Sequence, residues 1–113
     1  MTTATQKAAT LVEALPYLQR FRGKSFLIKM GGSVMEDEEL VSALMRDIVF
    51  LELAGINPIV VHGGGKAISA AMHEAGIEAK FVGGFRVTTP EAVAIVEQTL
   101  GNVINPHLVN LLN

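Results

Sequence analysis

The chain has 113 residues, 50% of them hydrophobic and 18% charged, a balance that suits one globular domain and excludes a disordered one. Nine Lys/Arg against eleven Asp/Glu give a formal charge of -2, so no broad basic field exists to hold nucleic acid or an anionic membrane, and an anion has to be bound locally. With no cysteine there are no disulfides, thiol nucleophiles or thiolate metal sites; without a secretory apolar stretch or a run of ~20 apolar residues, a cytoplasmic protein outside the membrane is expected.

Ala8, Leu11, Val12, Leu15 and Leu18 recur at helical steps and predict an amphipathic helix bent near Pro16. "KSFLIKM", 24–30, alternates as a buried strand and ends at Gly31-Gly32. Ser33 and Glu36 have capping-box spacing, and the acidic run Glu36 to Glu39 suits the positive end of a helix dipole, so a helix is expected to start there. Its stripe is Leu40, Val41, Leu44, Ile48 and Leu51, and Gly55 stops it. Asn57-Pro58 turns the chain into a second strand that runs into "VHGGGKAI", and 67–75 reads as a helix ended by Gly76.

Strand, helix, strand, helix is the order of two βα units, which predicts an α/β fold, a three-layer αβα sandwich with a mainly parallel open sheet. Residues 78–89 predict a hairpin about Gly83-Gly84, and Thr88 or Thr89 with Pro90 opens a last helix. That helix carries the stripe Val93, Val96, Leu100, Ile104, Leu108 and Leu112, with Pro106 as its one expected kink. Two parallel strands and a hairpin form a thin sheet for a mean hydropathy of +0.40, so the N-terminal part of a longer protein is expected.

Ligands of an open parallel sheet lie beyond the carboxyl ends of its strands, where both glycine turns, "KMGGS" and "HGGGK", are expected to face one crevice. Their N–H groups suit phosphate or carboxylate oxygens, and Lys29 adds a full charge. Glycine pairs after strands are common turn punctuation, but two of them on successive parallel strands, each beside a lysine, favour an anion site. The P-loop spacing is absent, because Val60 stands where its first glycine belongs and Ala67 follows Lys66. Arg86, on a short extended segment between Phe85 and Val87, suits bidentate grip of a carboxylate. His62 reads as a ligand, a base or, more commonly, a hydrogen-bonded structural residue; His73 and His107 read as isolated and exposed. No residues have metal-ligand spacing and no nucleophile-base pair is legible, so the chemistry reads as phosphoryl positioning.

"KMGGS", "INPIVVHGGGKAI", "GIEAKFVGGFRVT" and "IVEQTLGNVINPHLVNLLN" together resemble the acetylglutamate kinases of the amino acid kinase superfamily, across essentially the whole chain. "LVEALPYLQRFRGK" is similar to the N-terminal extension of the arginine-sensitive subgroup. The resemblance implies transfer of the ATP γ-phosphoryl group to the side-chain carboxylate of N-acetyl-L-glutamate in arginine biosynthesis, with Mg2+ held mainly by the ATP phosphates. It implies that Lys29 acts on the transferring group, that Gly31 and Gly32 approach the phosphates, that Gly63 and Gly64 flank the acyl acceptor, and that Arg86 grips the substrate α-carboxylate. It further implies an interaction helix at 1–23, a substrate-side lobe at 24–113, a homo-oligomer (dimer, or hexamer through that helix), and openness to arginine feedback and signalling-protein regulation. Lys66 departs from the proline of many members, and the family's adenine pocket, second phosphoryl-stabilising lysine and orienting aspartate would lie beyond residue 113. A non-catalytic anion-binding or assembly module and a kinase for another acyl acceptor are the alternative readings.

Overall fold

Alternation decides which way β1 (Ser25–Met30) and β2 (Asn57–His62) face in the computed structural model, which describes residues 1–113 apart from the side chain of Ser33. The two strands pair in parallel, from Ser25 opposite Asn57 to Met30 opposite His62. Phe26, Ile28, Met30, Pro58, Val60 and His62 point to the covered face. Leu27, Lys29, Ile59 and Val61 lie on the other face and are exposed.

The covered face is closed by α2 (Glu38–Leu53), whose Val41, Met45 and Ile48 join Met30 and Leu108 in the main core. Two expectations are corrected here. The cap is Asp37, whose carboxylate accepts the N–H groups of Glu39 and Leu40, and residues 32–36 form a 3-10 turn ahead of it. The side chain of Ser33, expected to pair with Glu36 in a capping box, lies outside the described part. Within the stripe, Met45 is buried to 1% and Leu40 remains 52% exposed, because Val41, Met45 and Ile48 share one face and Leu40 stands at its edge.

The helix α3 (Gly65–Glu74) starts two residues earlier than the expected position 67, inside the glycine run, with the Ile68 N–H donating to Gly64 O at 2.9 Å. Its Ile68 and Met72 form a second, smaller core with Ala92. The hairpin β3 (Phe81–Val82) and β4 (Phe85–Arg86) turns through Gly83 and Gly84, both with the positive φ that a two-residue turn demands. Thr89 caps α4 (Pro90–Glu97) through the Ala92 N–H.

The expected single last helix is three pieces: α4, a π-helical segment (Gln98–Ile104) and α5 (Asn105–Leu112). Pro106 has no N–H to offer the carbonyl one turn back, and the Asn105 N–H bonds to Leu100 O, five residues back. The extra residue shifts the buried face, so that Ala92 is fully buried while Val93, from the expected stripe, is 51% exposed.

The N-terminal helix α1 (Ala4–Phe21) runs beyond the predicted 8–18, opened by a Thr3/Gln6 capping box and containing Pro16. It buries none of its residues and gives the chain a radius of gyration of 18.6 Å, against about 13 Å for a compact domain of this length. It joins the body where the Phe21 ring meets Phe26 edge-on at 5.1 Å and the Gly23 N–H donates to Gly55 O at 2.7 Å.

Met45→Ala is expected to cost ~2–5 kcal/mol of stability, and Leu40→Ala no more than ~0.5 kcal/mol, read from urea unfolding midpoints at constant slope. Equal losses would refute the corrected assignment of the α2 core face.

Candidate functional site

The parallel register brings the two glycine turns together. Met30 lies opposite His62, and the Gly63 N–H continues the ladder by donating to Met30 O at 3.0 Å. That bond spends the Gly63 N–H, so any service of Gly63 to a ligand comes from its missing side chain. A Cβ at Gly63 would meet only Met30 O, at 4.0 Å, and one at Gly31 would meet nothing within 4 Å. Both turns therefore leave open space above the backbone. Gly64 differs, since a Cβ there would run into Ile104 and would stand 3.0 Å from Leu100 Cδ2. A side chain there would have to push aside the Ile104 and Leu100 methyls of the π-helical segment leaning on the turn.

Beside the turns opens a cleft of about 450 Å3, lined among others by Gly32, Gly64, Ser69, Arg86, Ile104 and Leu108. Of the residues expected to form one site, Gly32, Gly64 and Arg86 line it, whereas Lys29, Gly31 and Gly63 do not. Lys29 projects from the exposed sheet face, opposite Val61 in the register.

Arg86 is the half-buried cation of this cleft. Its Nη2 donates to Gly65 O and Ser69 Oγ, both at 2.9 Å, and its Nη1 reaches Met72 Sδ at 3.3 Å. The guanidinium also lies 4.7 Å from the centre of the Phe81 ring. All four partners are neutral. The side chain is thus oriented while its charge stays unpaired, but both Nη2 hydrogens are spent, so the donors left for a ligand are one on Nη1 and one on Nε, and the expected bidentate grip is corrected to single hydrogen bonds beside a full charge.

Two pairs across the cleft were not legible in the sequence. Lys66 Nζ bonds both carboxylate oxygens of Glu36 at 2.7 Å, and His107 Nε2 lies 2.7 Å from Glu38 Oε1. Glu36 and Glu38 therefore tie the 3-10 turn and the start of α2 to α3 and α5; of the expected acidic run, Glu38 and Glu39 lie in the first turn of α2, while Glu36 stands before its cap. His107, expected to be isolated, has a partner because α5 packs along α2. His73 is exposed, as expected. His62 is half-buried and hydrogen-bonded on both sides: its Nδ1 lies 3.0 Å from Gly63 O and its Nε2 3.2 Å from Asn105 Nδ2. Separations of 30, 43 and 69 residues hide these pairs from any local pattern.

Among the described residues no group of three His, Asp or Glu is placed to hold a metal ion, and no helix is long and apolar enough to cross a membrane.

Gly63→Ala is expected to leave the unfolding midpoint nearly unchanged, whereas Gly64→Ala should cost about 1–3 kcal/mol through forced movement of Ile104 and Leu100. Thermal unfolding of the two variants checks this, and equal stability would remove the π segment as the reason for Gly64.

Comparison with known proteins agrees with this geometry. Residues 24–113 match the model of the amino acid kinase family. The chain is 62% identical over 111 residues to the acetylglutamate kinase of Akkermansia muciniphila, covering 98% of this chain and 37% of that protein. It is 48% identical over 113 residues to the acetylglutamate kinase of Saccharopolyspora erythraea, covering 100% of this chain and 37% of that one. The chain thus spans little more than a third of the length of these curated relatives. Among solved structures, the N-acetylglutamate synthase from Neisseria gonorrhoeae, complexed with coenzyme A and N-acetyl-glutamate, superimposes with a TM-score of 0.78 at 24% identity. That superposition covers 93% of this chain and 24% of the synthase, and supports the fold. With paired glycine turns at the ends of parallel strands and a family match over all but the N-terminal helix, this chain belongs to the amino acid kinase family.

Proposed function

We propose that this chain is the substrate-side part of an acetylglutamate kinase, which transfers the γ-phosphoryl group of ATP to the side-chain carboxylate of N-acetyl-L-glutamate. The observation that carries the reading is Arg86, a half-buried guanidinium held by neutral partners beside a glycine turn. Such a charge attracts a carboxylate and receives it in a fixed orientation. The names of the relatives supply the substrate class.

In the reaction a carboxylate oxygen of the acceptor attacks the γ-phosphorus, the bond to the β,γ-bridging oxygen breaks, and ADP leaves with that electron pair. Two anions have to be aligned, and negative charge moves as the bond breaks, so positioning and cationic stabilisation supply the catalysis. Arg86 would hold the α-carboxylate, Gly63 would let the acceptor approach the backbone, and Gly64 would flank it from the cleft wall. Gly31 and Gly32 would do the same for the phosphates, with Lys29 stabilising the group in transfer. Mg2+ would take its ligands chiefly from the ATP phosphates. Lys29 on the exposed sheet face would meet the phosphoryl group from the side away from the main core.

A full-length enzyme carrying this segment, completed with the rest of the 62% identical relative, tests the assignment. Arg86→Ala should raise KM for acetylglutamate roughly ten- to hundredfold with little change for ATP, and Arg86→Lys should not restore it, since an ammonium cannot keep the bonds to Gly65 O and Ser69 Oγ and still present oriented donors to the carboxylate. Lys29→Ala should lower kcat far more than either KM. A rise confined to KM for ATP in Arg86→Ala would overturn the carboxylate role. Faster turnover of aspartate, glutamate or another acyl acceptor would favour the reading as a different amino acid kinase.

The N-terminal helix supports assembly through residues 1–23, apart from the lobe at 24–113. Leu11, Val12 and Leu15 stay exposed, so α1 does not fold back on its own domain. Deleting residues 1–20 is expected to reduce a hexamer to a dimer with catalysis retained. Sedimentation at constant protein concentration decides it, an unchanged mass removing α1 from the assembly.

A further inference from the structure

We infer that His62 is a positioning residue, locked in one tautomer by Asn105, through which the π-helical segment fixes the glycine turn. The ring has two neighbours with opposite demands. Gly63 O can only accept, so Nδ1 carries the hydrogen; the Asn105 amide nitrogen can only donate, so Nε2 presents its lone pair. Both neighbours select the same neutral tautomer.

Asn105 is itself placed by the π turn, since its backbone N–H donates to Leu100 O. The same segment sets Leu100 and Ile104 against Gly64. Residues 62 and 64 are therefore both gauged from one stretch of helix. Gly63 between them has its N–H on Met30 O and its carbonyl on the His62 ring. No polar group of Gly63 is left to adjust the turn, so a change at Asn105 moves the backbone that the acyl acceptor approaches. The kinetic consequence rests on the acetylglutamate kinase reading; the tautomer does not.

The experiment uses the full-length enzyme described above. Long-range 15N–1H correlation of the histidine side chains should show one ring, identified by its loss in His62→Gln, as the Nδ1–H tautomer, and Asn105→Ala should weaken that preference, leaving the Gly63 carbonyl alone to hold it. An Nε2–H ring in the wild type overturns the inference whatever the activity. Kinetics then separate the two bonds, because an Asn amide stands where Nδ1 was and a Gln amide where Nε2 was. His62→Asn and Asn105→Ala, which lose the link, should each raise KM for acetylglutamate about tenfold or more, with KM for ATP unchanged. Combining them should add little further, as both break one bond. His62→Gln should rescue most of the loss. An unaltered acceptor KM in a folded Asn105→Ala variant also overturns the inference. Should the wild type fail to phosphorylate acetylglutamate while showing the Nδ1–H ring, the functional reading falls and the positioning of the turn by His62 stands.

Discussion

The contact on which the rest of the structure depends is the seat of the π-helical segment against the second glycine turn. Leu100 belongs to the small core around Ile68, Met72 and Ala92, and Ile104 packs on the main core around Met45. Both meet at Gly64, where no side chain intervenes. Two clusters, each too small to order a domain alone, are joined through this point. The turn is thereby fixed from below, while the space above Gly31 and Gly63 is left open.

Charge is distributed around this frame in two ways. Glu36 with Lys66 and Glu38 with His107 are exposed pairs whose contribution to stability is small, about 0–1 kcal/mol each, but they span the cleft and connect its walls. Arg86 is the contrary case. Its neutral partners and the Phe81 ring orient the guanidinium without cancelling it, so its electrostatic attraction remains available to an anion. Lys66 has its ammonium held by Glu36, which offsets a cation at the unfavourable end of α3.

The surfaces are as informative as the core. Leu27, Ile59 and Val61 are exposed on one face of a parallel pair, a kind of sheet normally covered on both faces. The stripe on α1 is exposed as well. Both are consistent with a segment spanning 37% of its relatives.

The residues by themselves determined the βα order, the hairpin at Gly83-Gly84, a cap at Thr88 or Thr89 and the two glycine turns, because each is written in neighbours a few positions apart. Glycine spacing and alternation also marked Arg86 and the turns as the place to look for an anion. Tertiary structure decided what those residues touch. Whether Gly64 is bare for a ligand or for a helix depends on Ile104, forty residues away, and local pattern carries no trace of that packing. The stripe from Val93 to Leu112 looked continuous because a single inserted residue in the backbone path leaves the spacing of side chains along the sequence unchanged while turning their faces. His62 and His107 gained partners only when α5 was laid beside α2 and the end of β2, since a hydrogen bond needs two groups within about 3 Å and the sequence specifies only one of them at a time.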